Sequence, residues 1–165
     1  MTEPDAATTV VAVAGRRIDA PDAAVPRFPL ENRNRVRQAI AAALSAQTVS
    51  AVVCSGACGA DLLALEAARA LGIRGRVVLP FAVDRFREAS VVDRPGDWGP
   101  LFDELVTHAS AHGDLVVLDA GEGDAAFAAT NVAILADGER MASATRAGRR
   151  VLIVWDGASR GPDDL

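Results

Sequence analysis

The run Cys54-Ser55-Gly56-Ala57-Cys58-Gly59-Ala60-Asp61 leads from an apolar strand into a helix through two glycines three residues apart. Glycines let the backbone come close to a ligand. The unpaired N–H groups at a helix start attract an anion through hydrogen bonds and the helix dipole. A phosphate suits such a turn. The spacing is not that of the dinucleotide fingerprint G-x-G-x-x-G, because no third glycine stands in register, and a plain strand-to-helix turn is the competing reading. Gly15-Arg16-Arg17, just past the first strand, adds guanidinium groups able to grip a phosphate with two hydrogen bonds. Asp61 has two roles open to it, capping its own helix or touching a ribose hydroxyl.

Breaking a glycosidic bond would require a carboxylate to stabilise the developing oxocarbenium ion, often with an acid of raised pKa. Glu66, on the helix after the loop, and Glu122, flanked by Asp119 and Asp124, are the candidates. The setting Ala120-Gly121-Glu122-Gly123 reads first as a solvated turn, and Glu66 has Arg69 one helical turn away as an ion-pair partner. His108 and His112 stand at i, i+4, but with no Glu beside the first and no third ligand they read as surface histidines. No metal and no cofactor is expected. Trp98 and Phe102 read as core or a dimer contact, and Trp155 as packing before base stacking. Cys54 and Cys58 read as small packed thiols.

The elements that must position these residues follow from hydrophobic patterning. Thr9 to Ala14 is a nearly continuous apolar run, as in a strand covered on both faces, and Gly15 ends it. A connection containing Pro21, Pro26 and Pro29 precedes a helix from Glu31 to Gln47, with Val36, Ile40, Ala43 and Leu44 on one face and Arg35 and Arg37 turned away. Ala51–Cys54 is the second strand, Ala60–Leu71 a helix stopped by Gly72, and Arg76–Leu79 the third strand. Asp84 to Pro95 has no clear period and reads as a long, partly helical loop. Helices near Trp98–Ala111 and Ala125–Thr145 alternate with strands Leu115–Leu118 and Val151–Trp155.

This alternation predicts one α/β domain over residues 1–165. It should be a Rossmann-like, doubly wound sheet of about five mainly parallel strands with helices on both faces, and residues 1–8 flexible. Ligands of such sheets sit at the carboxyl ends of the strands, where Gly15–Arg17, Ser55–Asp61, Asp119–Asp124 and Asp156-Gly157 fall.

Val53 to Ala68, with its Ser-Gly-Ala-x-Gly-Ala-Asp core, resembles the nucleotide-binding loop of the SLOG superfamily. That superfamily includes the LOG phosphoribohydrolases, the Rossmann domain of DprA, and sensor domains of bacterial signalling and conflict systems found beside cyclase or tetratricopeptide modules. Ala14-Gly15-Arg16-Arg17-Ile18-Asp19 is similar to the opening of one such domain type. Val78-Leu79-Pro80-Phe81 with Phe86 and Ser90-Val91 is similar to its middle, and Val154-Trp155-Asp156-Gly157 to its close; Asn131 falls at its helical Asn. Arg16 stands where relatives more often have His. The catalytic Pro-Gly-Gly-x-Gly-Thr-x-x-Glu pattern is absent, with Ala60 at the Thr and Leu63 at the Glu.

The resemblance implies a ligand site of Gly15, Arg16, Arg17, Ser55, Gly56, Ala57, Cys58, Gly59, Ala60, Asp61, Glu122, Asn131, Asp156 and Gly157. It also implies a homodimer and a sensor role in bacterial signalling or defence, read by an effector encoded elsewhere. The enzyme alternative, a nucleotide N-glycosidase using Glu66 or Glu122, stays open.

Composition narrows the classes. The chain has 17 basic residues, all arginine, against 22 acids, for a net charge of −5. Lacking lysine, it can be neither a Schiff-base enzyme nor a Walker-type phosphate binder. Nucleic acid is not expected as a partner without a local basic patch. No stretch approaches a membrane span, and the acidic start lacks a secretory pattern, so a cytoplasmic protein is expected, with a nucleotide or NAD-derived small molecule as ligand.

Overall fold

The computed structural model describes residues 8–159; the expected flexibility of residues 1–8 falls, but for Thr8, outside them. Five strands, β1 (Thr9–Gly15), β2 (Val49–Cys54), β3 (Arg74–Leu79), β4 (Leu115–Val117) and β5 (Gly148–Val154), form one parallel sheet in the order β4-β3-β2-β1-β5. The helices are α1 (Arg33–Ser45), α2 (Ala60–Ala70), α3 (Val83–Ser90), α4 (Gly99–Ala111) and α5 (Gly123–Thr145). The fold is the Rossmann-like α/β sheet that the alternation predicts.

Strand residues alternate between two apolar layers because successive side chains point to opposite faces. Val11, Val13, Val52, Cys54, Val77 and Leu79 join α1, α2, α3 and α4 in the larger layer. Val10, Ala12, Ala51, Val53 and Val78 meet Ile134, Met141 and Ala142 of α5 in the smaller one. Burial on both sides explains why these strands read as unbroken apolar runs. The chain steps from β1 to β4 in one direction, and α5 then crosses the opposite face to return it beside β1. At 23 residues α5 is about 34 Å long. One helix about 10 Å wide cannot cover five strands spaced about 4.8 Å apart. Val151 and Ile153 of β5 stay exposed.

Local signals place the boundaries. Gly72, with φ +71, follows α2, and Ile73 N–H returns to Ala68 O at 2.8 Å, the left-handed cap expected there. Arg146 ends α5 in the same conformation without being glycine. The segment read as a long, partly helical loop contains α3, an amphipathic helix whose buried Phe86 stacks on Phe102 of α4. Its eight residues are too few to display a period in sequence. Two arginines at the start of β3 tie the sheet to its flanks. Arg74 pairs through Nε and Nη2 with buried Asp114, and Arg76 bridges Asp114 and Asp137. Among the described residues, no helix is long and apolar enough to cross a membrane.

Candidate functional site

The turns after β1 and β2 interlock at the carboxyl rim. A Cβ on Gly15 would lie 2.5 Å from Ala60 Cβ, and one on Gly59, whose φ is +105, would lie 2.7 Å from Arg16 O. Ala60 N–H donates to Arg16 O at 3.1 Å, and Cys58 N–H to Ser90 O at 2.9 Å. Gly56 and Ala57 N–H both donate to Asp61 Oδ2, at 3.2 and 3.3 Å. Gly15 and Gly59 therefore answer first to chain-on-chain contact, and much of the loop's donor capacity is engaged internally. Gly56, Cys58, Gly59 and Ala60 are buried; Ser55, Ala57 and Asp61 are the partly exposed positions.

Asp61 thus ties down the loop before α2 and does not cap its own helix, whose first turn receives no side-chain cap. Burial pushes its carboxyl up to about 6, against the opposing pull of the Ala57 and Gly56 N–H groups, the Ser55 hydroxyl and Arg17. Burial likewise raises the thiols of Cys54 and Cys58, Cys58 despite Arg17 beside it, so neither is a ready nucleophile. Both cysteines are free and buried.

Arg16 and Arg17, adjacent in sequence, diverge in space. Arg17 donates to the Asp93 carboxylate and to Cys58 Sγ at 3.6 Å, holding the segment after α3 over the glycine loop; Arg94 lies 3.4 Å from the same carboxylate. Arg16 turns toward β5, with Nε 3.0 Å from Asp156 Oδ1 and Nη2 2.9 Å from Ala158 O. Arg27 reaches the same two residues, donating to Ala158 O at 2.9 Å and lying 3.8 Å from Asp156 Oδ2. Burial alone would raise the Asp156 carboxyl, but the Ala158 N–H and the two guanidinium groups hold it below its usual value.

Asp19 brings Arg27 there. Its Oδ2 accepts the N–H groups of Arg27 and Phe28 at 2.8 and 2.9 Å, folding the Pro-rich connection back on itself. The result is a cleft of 410 Å³ between β1, β5 and the start of α1, where Arg16, Arg27, Asn32, Arg35, Trp155 and Asp156 line the wall. Trp155 is 55% exposed, whereas Trp98 is 1% exposed. The first turn of α1 carries no acid, contrary to the usual complement of a helix dipole, although Glu31 precedes it. Among the described residues no carboxylate pairs with Arg35. Two guanidinium groups pair with the Asp156 carboxylate and a third, that of Arg35, lines the same cleft, leaving an excess of positive charge suited to a dianion.

The other expected site residues lie elsewhere. Glu122 is exposed and pairs with Arg85 at 2.6 Å, at the β4 edge of the rim. The ends of β4 and β5 stand at opposite edges, four strand spacings or about 19 Å apart. The rim between β3 and β4, where the following helices leave to opposite faces, is zipped by Ala120 N–H to Pro80 O at 3.0 Å. Asp119 and Asp124 are exposed beside Glu122, and Asn131 is exposed about 12 Å along α5 from its start. Glu66 lies about 9 Å along α2 from its start, with Oε2 buried and unpartnered among the described residues. Arg69, its expected partner, pairs with Glu104 of α4 at 2.6 Å. Gly157 is exposed at φ +82, beside Asp156. His108 and His112 pack against each other with ring centroids 4.1 Å apart and the rings tilted by 36°.

Sequence reasoning missed Arg27, Asn32 and Arg35 as members of the site. The available signal was their place in the connection after β1, which must start at the same rim as the glycine loop. No protein-family model matches this chain, and no curated protein matches it in sequence.

Proposed function

We propose that this chain is a SLOG-type sensor module that binds a nucleotide or nucleotide-derived anion in the cleft between β1, β5 and the start of α1. The observation carrying this reading is a cleft lined by Arg16, Arg27 and Arg35 with the single carboxylate of Asp156, beside the exposed indole of Trp155. In a protein of net charge −5, this local excess of positive charge attracts a phosphate dianion. The indole offers a stacking face for a base, worth about 1–3 kcal/mol. Interlocked with the turn after β1, the glycine loop sets the backbone that presents Arg16. No bond cleavage is assigned, since Glu66 and Glu122 stand on different elements and neither lines the cleft. A partner protein would read the occupied state.

Thermal denaturation against mononucleotides, NAD derivatives, ADP-ribose and cyclic nucleotides tests the reading, with chromatography of each stabilising ligand. A shift in Tm with the ligand intact is expected, and Arg35→Ala should weaken binding about 10- to 100-fold through loss of a charge-assisted contact. Release of free base would replace the sensor by the N-glycosidase. No shift with any ligand, or a shift that Arg35→Ala leaves unchanged, would remove the cleft from consideration.

A further inference from the structure

β5 is an edge strand of seven residues, paired with β1 along its whole length, and among the described residues no strand lies on its outer side. Edges of this kind are normally blunted by proline, a bulge, shortness or inward charge. The opposite edge, β4, follows that rule with three residues, whereas Val151-Leu152-Ile153-Val154 has none of these protections. Side chains alternate across the strand. Leu152 and Val154 pack toward the layer of α1, while Val151 and Ile153 stand on the α5 face, 56% and 66% exposed. A groove borders the strand on each face. One, of 320 Å³, lies between α5 and β5, with Leu135, Glu139 and Val151 on its walls. The other, of 330 Å³, lies between α1 and β5, with Ala43, Gln47 and Leu152 on its walls. Gln47 Oε1 is buried there without a hydrogen-bond partner among the described residues. Charge marks one end of the strand: Arg146, Arg149 and Arg150 are all exposed at its start. Glu139 pairs with Arg149 at 2.5 Å, and among the described residues no carboxylate meets Arg146 or Arg150.

We infer that the β5 edge docks an extended acidic segment of a partner protein, which joins the sheet as an added strand with its carboxylates at the Arg149-Arg150 end. Three features select this occupant. The backbone groups on the outer side of β5 take up the main-chain hydrogen bonds of an added strand. Its side chains point alternately to the two faces and so lie over the two grooves in turn, whereas a helix laid on one face would leave the other groove empty. Carboxylates answer the arginines that this chain leaves unpaired. A second copy of β5 holds two arginines and no acid, and a contact between identical patches must complement itself. In antiparallel register, the more frequent pairing, the acids follow the apolar residues along the partner segment. β-Branched residues then cover Ile153 and Val151, and acids face Arg150 and Arg149 as opposite-charge cross-strand pairs.

The probe is a fluorescein-labelled peptide, Thr-Val-Thr-Val-Glu-Asp with an amidated C-terminus, titrated with the full chain and read by fluorescence anisotropy. No nucleotide is present, and Arg149 and Arg150 lie outside the cleft of Arg16, Arg27 and Arg35, so the result is independent of the nucleotide reading. Saturable binding with a Kd of about 100 µM or tighter is expected, weakening as salt is added. Exchanging Glu-Asp for Arg-Arg in the peptide, or Arg150→Glu in the protein, should each weaken binding about 10-fold or more, and the two changes together should recover part of it. Arg150 is exposed, so Arg150→Glu should leave circular dichroism unchanged. Methylating the peptide's backbone nitrogens removes its donors to the strand while keeping every charge, and should abolish binding. No binding at about 1 mM protein, equal binding of the acidic and basic peptides, or undiminished binding of the methylated peptide would overturn the inference. So would a sedimentation mass of twice 17.1 kDa that Ile153→Lys halves while no peptide binds, because the edge then belongs to a second copy.

Discussion

Replacing Asp61 with asparagine separates the cost of its charge from the hydrogen bonds its carboxyl accepts. Both loop amides donate to one oxygen, Oδ2, so the single carbonyl oxygen of asparagine can take both, while its NH₂ faces the Ser55 side. Burial raises the carboxyl from 3.8 to about 6, equivalent to about 3 kcal/mol between the charged and neutral forms. The sign follows from proton linkage. Between these values the folded state holds the proton more firmly than the unfolded chain, so stability falls as pH rises through that window and the full cost is present above it. The neutral amide of Asp61→Asn carries no such cost at any pH. Urea denaturation of both proteins at intervals from about pH 4 to about pH 7 should show near-equal stability at the acid end. The variant should then gain up to about 3 kcal/mol over wild type by neutral pH. A difference that stays flat with pH, or wild type gaining on the variant as pH rises, would refute the claim that burial dominates at this carboxyl.

Three further outcomes follow from the geometry. Gly59→Ala should lower stability by several kcal/mol, about 3 or more, because a Cβ there meets Arg16 O at 2.7 Å in a positive-φ conformation; calorimetric Tm checks it. Arg146→Gly should stabilise by up to about 1 kcal/mol, since Arg146 is a non-glycine residue at positive φ (54°) and closes α5, and a rise in urea midpoint is the readout. Trp155→Phe should abolish most ligand-dependent quenching of intrinsic fluorescence, because Trp98 is buried and Trp155 is the indole at the cleft; quenching that survives the change would place the ligand elsewhere.

Apolar runs such as Val10–Val13 and Val151–Val154, punctuated by Gly15 and Gly72, carry the strand and helix order in the sequence itself, because periodicity and backbone preference are local properties. Thus the parallel sheet, the helices between its strands and the turn at Ser55–Asp61 were legible without coordinates. The short α3 was legible only as partial helicity in a loop, because its pattern is shorter than a period can register. Which turns meet was not local either. Strand order put the ends of β1, β2 and β5 side by side and moved Glu122 to the far edge, a separation that no spacing in the chain encodes. Arg16 and Arg17 look equivalent in sequence, yet Asp156 draws one into the cleft and Asp93 draws the other over the glycine loop. The glycines illustrate the same division: their type announces a close approach, and only the tertiary structure decided that, at Gly15 and Gly59, the approaching group is this chain's own backbone and side chains.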